Sequence, residues 1–351
     1  MNKFIIQDVT QITEKIDVQR FSGKKILLTG AAGFLGSYFT HFFTNLNDLK
    51  ILKDPCQLFC LDNFTRGTPD WLLYLNKRDD LKLIKSDIIG CRDFEKCDFV
   101  IHAASIASPT YYRKKPIETM DANVLGLRNL LDFFRQNKCE SFLYFSTSEI
   151  YGDPDSKNIP TKETYRGFVS CTGPRACYDE SKRFGETLAV NFFEQYNLPI
   201  KIARPFNNYG PGLKINDKRV LPDFFKNILE GKNIELFSDG KATRTFCYIS
   251  DAVTGYLKIL LSEFNGEPFN IGVDNPEISM NDLANKIVDL LNLPNKVIFK
   301  KNTDSHYLTD NPQRRCPDLE KSKKLLDYNP MISLDEGLIR MFEYYKSEFK
   351  K

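Results

Sequence analysis

The 351-residue sequence predicts an α/β fold: a doubly wound parallel sheet with a smaller α/β region toward the C-terminus. Three observations carry that expectation. Short apolar runs alternate with helical stretches from Lys25 to about Ala203. A glycine-rich turn joins the first apolar run to the first helix. After about Pro205 the alternation stops, and Gly210, Pro211 and Gly212 punctuate the chain.

Residues 1–22 precede the sheet as an N-terminal extension. Ile5, Ile6, Val9, Ile12 and Ile16 recur in it, interrupted by acids and polar residues. That spacing predicts a short amphipathic helix packed on the body rather than a targeting signal. Lys25–Thr29 is an apolar run of the kind buried in parallel sheets. It leads into Gly30-Ala-Ala-Gly33-Phe34-Leu35-Gly36 and a helical pattern to about Leu46. Further strands are expected at 57–61, 81–85, 99–101, 142–145 and 200–203, with long helices at 116–136 and 178–196. Residues 23–205 therefore read as one domain, with 241–265 returning to it. Residues 206–240 and 266–351 read as a second, smaller one.

The composition is 42% apolar and 27% charged, ordinary for a soluble globular chain, so wholesale disorder is not expected. A net charge of +3 is too small to suggest a nucleic-acid partner; basic residues that matter should read a local anion. No apolar run reaches the ~20 residues that span a bilayer. The nine cysteines are odd in number and form no CxxC pair, and histidine is scarce. Reduced thiols in a cytoplasmic protein without a metal centre are the expectation.

Gly30, Gly33 and Gly36 stand where a strand turns into a helix. A tight turn, close approach to a pyrophosphate and close helix–strand packing each disfavour a Cβ there. The helix N-terminus, with Phe34 and Leu35, then offers N–H groups to phosphate. Asp62 ends the second strand. Its carboxylate can accept from an adenosine ribose and would repel a 2′-phosphate, which favours NAD; Arg66 nearby keeps NADP open. This is a Rossmann-type pattern.

Beyond that pattern, "TGAAGFLGS", "DNFTRG", "SDI", "VIHAAS", "NVLG", "STSEIYG" and "YDESK" occur in one order from Lys25 onward. Together they resemble the extended short-chain dehydrogenase/reductase family of sugar-nucleotide enzymes. The resemblance implies NAD as cofactor. Asn63, Asp87 and Ile88 would lie near its adenosine, and Ala103, Ala104 and Ser105 would line it. Asn123, Tyr178, Lys182 and Arg204 complete the implied cofactor set.

Tyr178 and Lys182 are four residues apart, so on a helix they share a face. A phenol has an ordinary pKa of ~10 and is a poor base at neutral pH. A nearby ammonium and a cationic nicotinamide would pull it down, so that it can take a hydroxyl proton while hydride leaves the same carbon. Thr147 resembles the family's hydroxyl member of this group. A surface Tyr/Lys pair is the bland alternative.

The second step separates the family's members. Its dehydratases carry Thr-Asp-Glu where this chain has Thr147-Ser148-Glu149, and serine is a far weaker acid. The triplet, "GPRACYDESKR", "RPFNNYGPG", "KATRTFCYISD" and "DNPQRRCPDL" resemble UDP-glucuronate decarboxylases. Arg315 falls where they place an arginine near the substrate carboxylate, although Cys316 replaces their usual lysine. The implied reaction takes UDP-glucuronate to UDP-xylose through a C4 ketone. Alternatively, Glu149 caps a loop and Arg315 pairs with Asp318. A nucleotide-sugar 4-epimerase, a 4,6-dehydratase and a non-catalytic NAD-binding regulator stay open as other functions. Asn207, Arg219, Arg244 and Tyr248 lie where relatives contact the nucleotide diphosphate, and guanidinium suits phosphate. The two long helices carry apolar residues on more than one face. In this family a second face often meets the same helices of another copy, so a homodimer with a four-helix contact is expected.

Overall fold

The computed structural model describes residues 2–300 and 309–349. Its centre is a seven-stranded, all-parallel sheet built from β1 (Lys25–Thr29), β2 (Gln57–Asp62), β3 (Leu81–Lys85), β4 (Phe99–His102), β5 (Ser141–Phe145), β6 (Ile200–Pro205) and the strand Pro268–Ile271. Read from the outer edge of β3, the order is β3-β2-β1-β4-β5-β6, and Pro268–Ile271 closes the other edge. The order reverses between β1 and β4. A cleft opens there at the carboxyl ends of the strands, where such sheets bind ligands.

Both faces of the sheet are covered, which explains why its central strands β1, β4 and β5 are buried almost throughout, whereas the edge strand β3, LKLIK, is partly exposed. One face carries α1 (Lys3–Glu14), α2 (Phe34–Asp48) and the helix Ile249–Leu261, sharing a core with Phe39, Phe42, Phe145 and Tyr256. The other carries the helices Leu127–Asn137 and Ala176–Tyr196, around Leu130, Phe134, Phe142 and Phe192. Gly185 lets the second of these lie close to β5: a Cβ there would stand 2.0 Å from the Tyr144 hydroxyl.

Three features depart from the sequence reading. The helix expected at 116–136 is interrupted: Pro116–Asp121 passes through a π turn, Ala122–Gly126, into Leu127–Asn137. The return to the central sheet also extends beyond 241–265: the helix Ile249–Leu261 packs on the sheet, but the strand that joins it lies further on. Thr243–Arg244 pairs with Ile278–Ser279 and Arg314–Arg315 in a small separate sheet, whereas Pro268–Ile271, expected in the second domain, pairs with β6. A four-residue strand beside glycines has too little pattern of its own to reveal its partner. The third concerns Tyr248. It was expected at the substrate, but its hydroxyl donates to Asp8 of α1 at 3.0 Å, and the residue is fully buried. Tyr38 and Arg340 bond the same carboxylate, both at 2.9 Å, tying α1 to α2 and to the C-terminal helix Leu334–Phe349. Burial pushes the Asp8 carboxyl up to about 6. Among the described residues no helix is long and apolar enough to cross a membrane.

Candidate active site

A single cleft of about 1660 Å³ runs from the glycine turn, past the ends of β1, β4 and β5, to the small sheet. That exceeds the usual 300–1,000 Å³ of a one-ligand pocket and suits two nucleotides side by side.

The first half fits a dinucleotide. Gly30 has φ +74°, and a Cβ on it would meet the Ala103 carbonyl at 2.7 Å. A Cβ on Gly36 would lie 2.2 Å from the Gly30 carbonyl oxygen. Strand, turn and helix are thus pressed together, and the start of α2 faces the groove through Gly33, Phe34 and Leu35. Asp62 closes β2 and accepts from the Ala32 and Phe64 amides at 3.0 and 2.8 Å, fixing the carboxylate at the groove's edge. Asn63 donates to Asp87 at 3.0 Å, and Ile88, Ala104 and Ser105 continue the lining. Arg66 is bonded to Asp217 at 2.6 Å and lies over the Tyr111 ring. These features fit an NAD ribose better than a 2′-phosphate.

Two expected cofactor residues do not line this groove. Asn123 is fully buried on the π turn, accepting from Ser105 at 2.7 Å and donating to Ser181 at 2.9 Å. It braces the groove wall and the tyrosine helix rather than touching a ligand. Arg204 is paired with Glu186 at 2.6 Å and bonded to the Tyr151 hydroxyl and the Glu163 carbonyl. Its donors are consumed under the sheet edge.

Tyr178 and Lys182 lie on the sheet-facing stripe of the Ala176–Tyr196 helix with Gly185, Ala189 and Phe192, all buried or nearly so. This excludes a surface Tyr/Lys pair. Their electrostatics differ from expectation. Lys182 donates to the Phe145 carbonyl at 2.7 Å, and burial brings its pKa down to about 7. Burial pushes the Tyr178 phenol up to about 12, against a hydrogen bond from Thr147 that favours the phenolate. The chain alone therefore does not make the phenol acidic. Desolvation outweighs every cation the protein places near it. Tyr112 stacks on Tyr178, with ring centres 5.0 Å apart and planes within 6°.

Beyond Tyr178 the cleft ends in a charged cluster. The end of β5 delivers Thr147, Ser148 and Glu149, with the Thr147 hydroxyl accepting from the Glu149 amide at 3.2 Å. One Glu149 oxygen accepts from Arg315 at 2.5 Å and from Arg175. Arg315 thus reaches Glu149 rather than Asp318. Burial pushes the Glu149 carboxyl up, but Arg175, Arg315 and Arg244 together hold it well below the ordinary carboxylate range. Neighbouring Asp179 goes the other way, raised by burial and by the Glu149 charge. Arg244 is held by four oxygens, those of Thr243, Gln313, Pro312 and the Asn311 side chain, none of them a carboxylate. Burial, then Arg315, lowers its pKa to about 9. The cluster therefore carries three guanidiniums against one firmly ionised acid. Arg219, paired with Asp217 at 2.8 Å, and Asn207, bonded to the Thr245 carbonyl at 2.8 Å, line the same half of the cleft. The sequence reading missed Arg175, Tyr112 and Asp179; the Arg175–Asp179 spacing of four was a signal that was there to be read.

The model of the NAD dependent epimerase/dehydratase family matches residues 26–272. The chain is 36% identical over 324 residues to UDP-glucuronic acid decarboxylase 1 of Arabidopsis thaliana, covering 92% of this chain and 70% of that protein. It is 35% identical over 328 residues to UDP-glucuronic acid decarboxylase 1 of Xenopus tropicalis, covering 93% and 73%. Among solved structures, UDP-glucuronic acid 4-epimerase from Bacillus cereus, in complex with UDP-glucuronic acid and NAD, superposes with a TM-score of 0.77 at 27% identity, covering 92% and 99%.

Replacing Asp62 with alanine removes the acceptor at the groove's edge and frees two amides. Bound NAD, measured by release from the denatured protein and by titration calorimetry, is expected to weaken roughly tenfold or more, the cost of one lost charge-assisted hydrogen bond. Unchanged NAD retention would contradict the placement of the ribose.

Proposed function

The chain belongs to the NAD dependent epimerase/dehydratase family, and from that premise we propose that it decarboxylates UDP-glucuronate to UDP-xylose. The observation that carries the reading is the guanidinium cluster beyond Tyr178. Arg315, Arg175 and Arg244 converge on one carboxylate, leaving positive charge for a second. A sugar acid brings that second carboxylate; a neutral hexose does not.

Bound NAD supplies the acceptor for the C4 hydride, returns it later, and adds a positive charge that favours the Tyr178 phenolate. Tyr178 takes the proton of the C4 hydroxyl, and Thr147 shares the hydrogen bond to that oxygen. Lys182, fixed by the Phe145 carbonyl at 2.7 Å, would bond the nicotinamide ribose. The C4 ketone is β to the C6 carboxylate. The C5–C6 bond then breaks, its electron pair moves into an enolate on the C4 oxygen, and CO2 leaves. Tyr178 and Thr147 hold that oxygen, Arg315 orients the carboxylate, and Glu149 and Ser148 handle protons or a positioned water. A proton added at C5 gives the 4-ketopentose, and re-reduction at C4, with Tyr178 returning its proton to the C4 oxygen, completes the xylose. Ser148 in the cleft is too weak an acid to expel water from the sugar, which argues against dehydration. On this reading Arg219 and Asn207 would meet the diphosphate half, with Arg244 between it and the rest of the guanidinium cluster. The likeness to a UDP-glucuronic acid 4-epimerase favours a second reading, inversion at C4 of the same acid with the carboxylate kept.

We also propose a homodimer. Ile117, Leu125 and Phe184 are exposed large apolar side chains on the two helical segments that pack together here. They offer a face for the same face of a second copy.

In D2O the enzyme is expected to turn UDP-glucuronate into CO2 and UDP-xylose carrying one deuterium at C5, followed by proton NMR. UDP-galacturonate with its carboxyl group intact would establish the epimerase reading instead. Tyr178→Phe is expected to lower kcat by roughly 10³-fold with the fold unchanged. Light scattering should give twice the chain mass for the wild type and the single mass for Phe184→Glu; a wild-type monomer would contradict the dimer.

A further inference from the structure

One buried cation of the cluster at the charged end of the cleft takes no step of its own in the scheme above. Arg175 caps the N-terminus of the Ala176–Tyr196 helix and is 8% exposed. One of its terminal nitrogens donates to Glu149 Oε2. Its Nε lies 3.7 Å from Asp179 Oδ2, and its guanidinium stands 5.9 Å from the centre of the Tyr112 ring. Arg315 donates to the same Glu149 oxygen from a different element, the strand Arg314–Arg315. One oxygen serves two cations.

That sharing has a consequence once the substrate enters, on the reading that it brings a carboxylate to Arg315. The incoming group competes with Glu149 for the Arg315 donors. A buried carboxylate deprived of its only cation would be strongly disfavoured and would take up a proton. Glu149 is not deprived, because Arg175 remains. Arg175 lies beside Asp179, its Nε 3.7 Å from Oδ2, and is flanked by the Tyr112 ring, which in turn stacks on Tyr178. Arg175 sits on a different element from Arg315, so Arg315 can exchange partners without displacing it.

We propose that Arg175 is a positioning residue: it retains the Glu149 carboxylate at the end of the cleft while Arg315 exchanges Glu149 for the carboxylate of the substrate. The groups that face Glu149 are the cations Arg175, Arg315 and Arg244 and the titratable Tyr178, Tyr112 and Asp179. Among the cations Arg175 opposes the effect of burial most strongly. Its loss therefore moves Glu149 toward protonation. The sign follows. With a raised Glu149 pKa, activity that needs the carboxylate is present at high pH and falls as pH drops through that value.

The test uses Arg175→Gln, Arg175→Lys, Glu149→Gln and the double variant Arg175→Gln/Glu149→Gln. Arg175→Gln is expected to lower kcat roughly 10²-fold, as loss of one charged donor does, with KM for UDP-glucuronate little changed. It should add an acid limb to the pH profile that the wild type lacks. Arg175→Lys should recover most of the rate, and it reads the limb if the Gln variant does not fold. The double variant should be no slower than Glu149→Gln alone. A wild-type pH profile, a loss confined to KM, or additive losses would overturn the proposal. Carboxyl 13C NMR of the substrate-free protein, with Glu149 assigned by its absence in Glu149→Gln, reads the coupling without turnover. An unmoved Glu149 midpoint in Arg175→Gln sinks the proposal even if CO2 is released. A raised midpoint in a protein whose wild type releases no CO2 sustains the coupling and removes the decarboxylase reading.

Discussion

A carboxylate cannot stay ionised out of water unless cations and hydrogen bonds replace its hydration, and Glu149 is such a carboxylate. The architecture around it follows from that need. β5 ends one residue before Ser146, so Thr147, Ser148 and Glu149 emerge at the top of the sheet. The cap of the Ala176–Tyr196 helix supplies Arg175, and the small sheet supplies Arg244 and Arg315 from paired strands, with Arg315 directly opposite Arg244. Three segments more than 160 residues apart at the extremes must meet for one charge to be held. Buried ion pairs add little net stability compared with apolar packing, and breaking one costs about 3–5 kcal/mol. Their value here is chemical. They leave a positively charged end to the cleft, next to a tyrosine and the groove for a nicotinamide cofactor.

The parallel sheet makes this juxtaposition possible. Reversal of strand order between β1 and β4 opens the groove where the glycine turn, Asp62 and Asp87 gather. The same sheet buries Tyr178 and Lys182, because the helix that carries them lies flat on it through Gly185 and Ala189. Burial is also what holds the phenol protonated.

Much of this was legible in the chain. The glycines and the acid ending the second strand have local causes, a turn too tight for a Cβ and a carboxylate at a strand end, so position alone reveals them. Tyr178 and Lys182 were legible from spacing, but their pKa directions were not. Spacing says that two side chains share a face and nothing about how dry that face is. Arg204 and Tyr248 were misplaced because their partners are remote: Glu186 lies on another element, and Asp8 is 240 residues away. Asn123 was near the groove in sequence yet turned inward by a π turn that no pattern announces. Arg175 stood in full view inside a quoted motif. Only the meeting of β5 with the strand Arg314–Arg315 shows what it holds.

The most direct test compares two ligands that differ in one group. Calorimetry of UDP-glucuronate and UDP-glucose with the NAD-loaded protein isolates the carboxylate. The account predicts tighter binding of the glucuronate by roughly tenfold or more, and loss of that preference in Arg315→Met. Equal binding of the two by the wild type would contradict it.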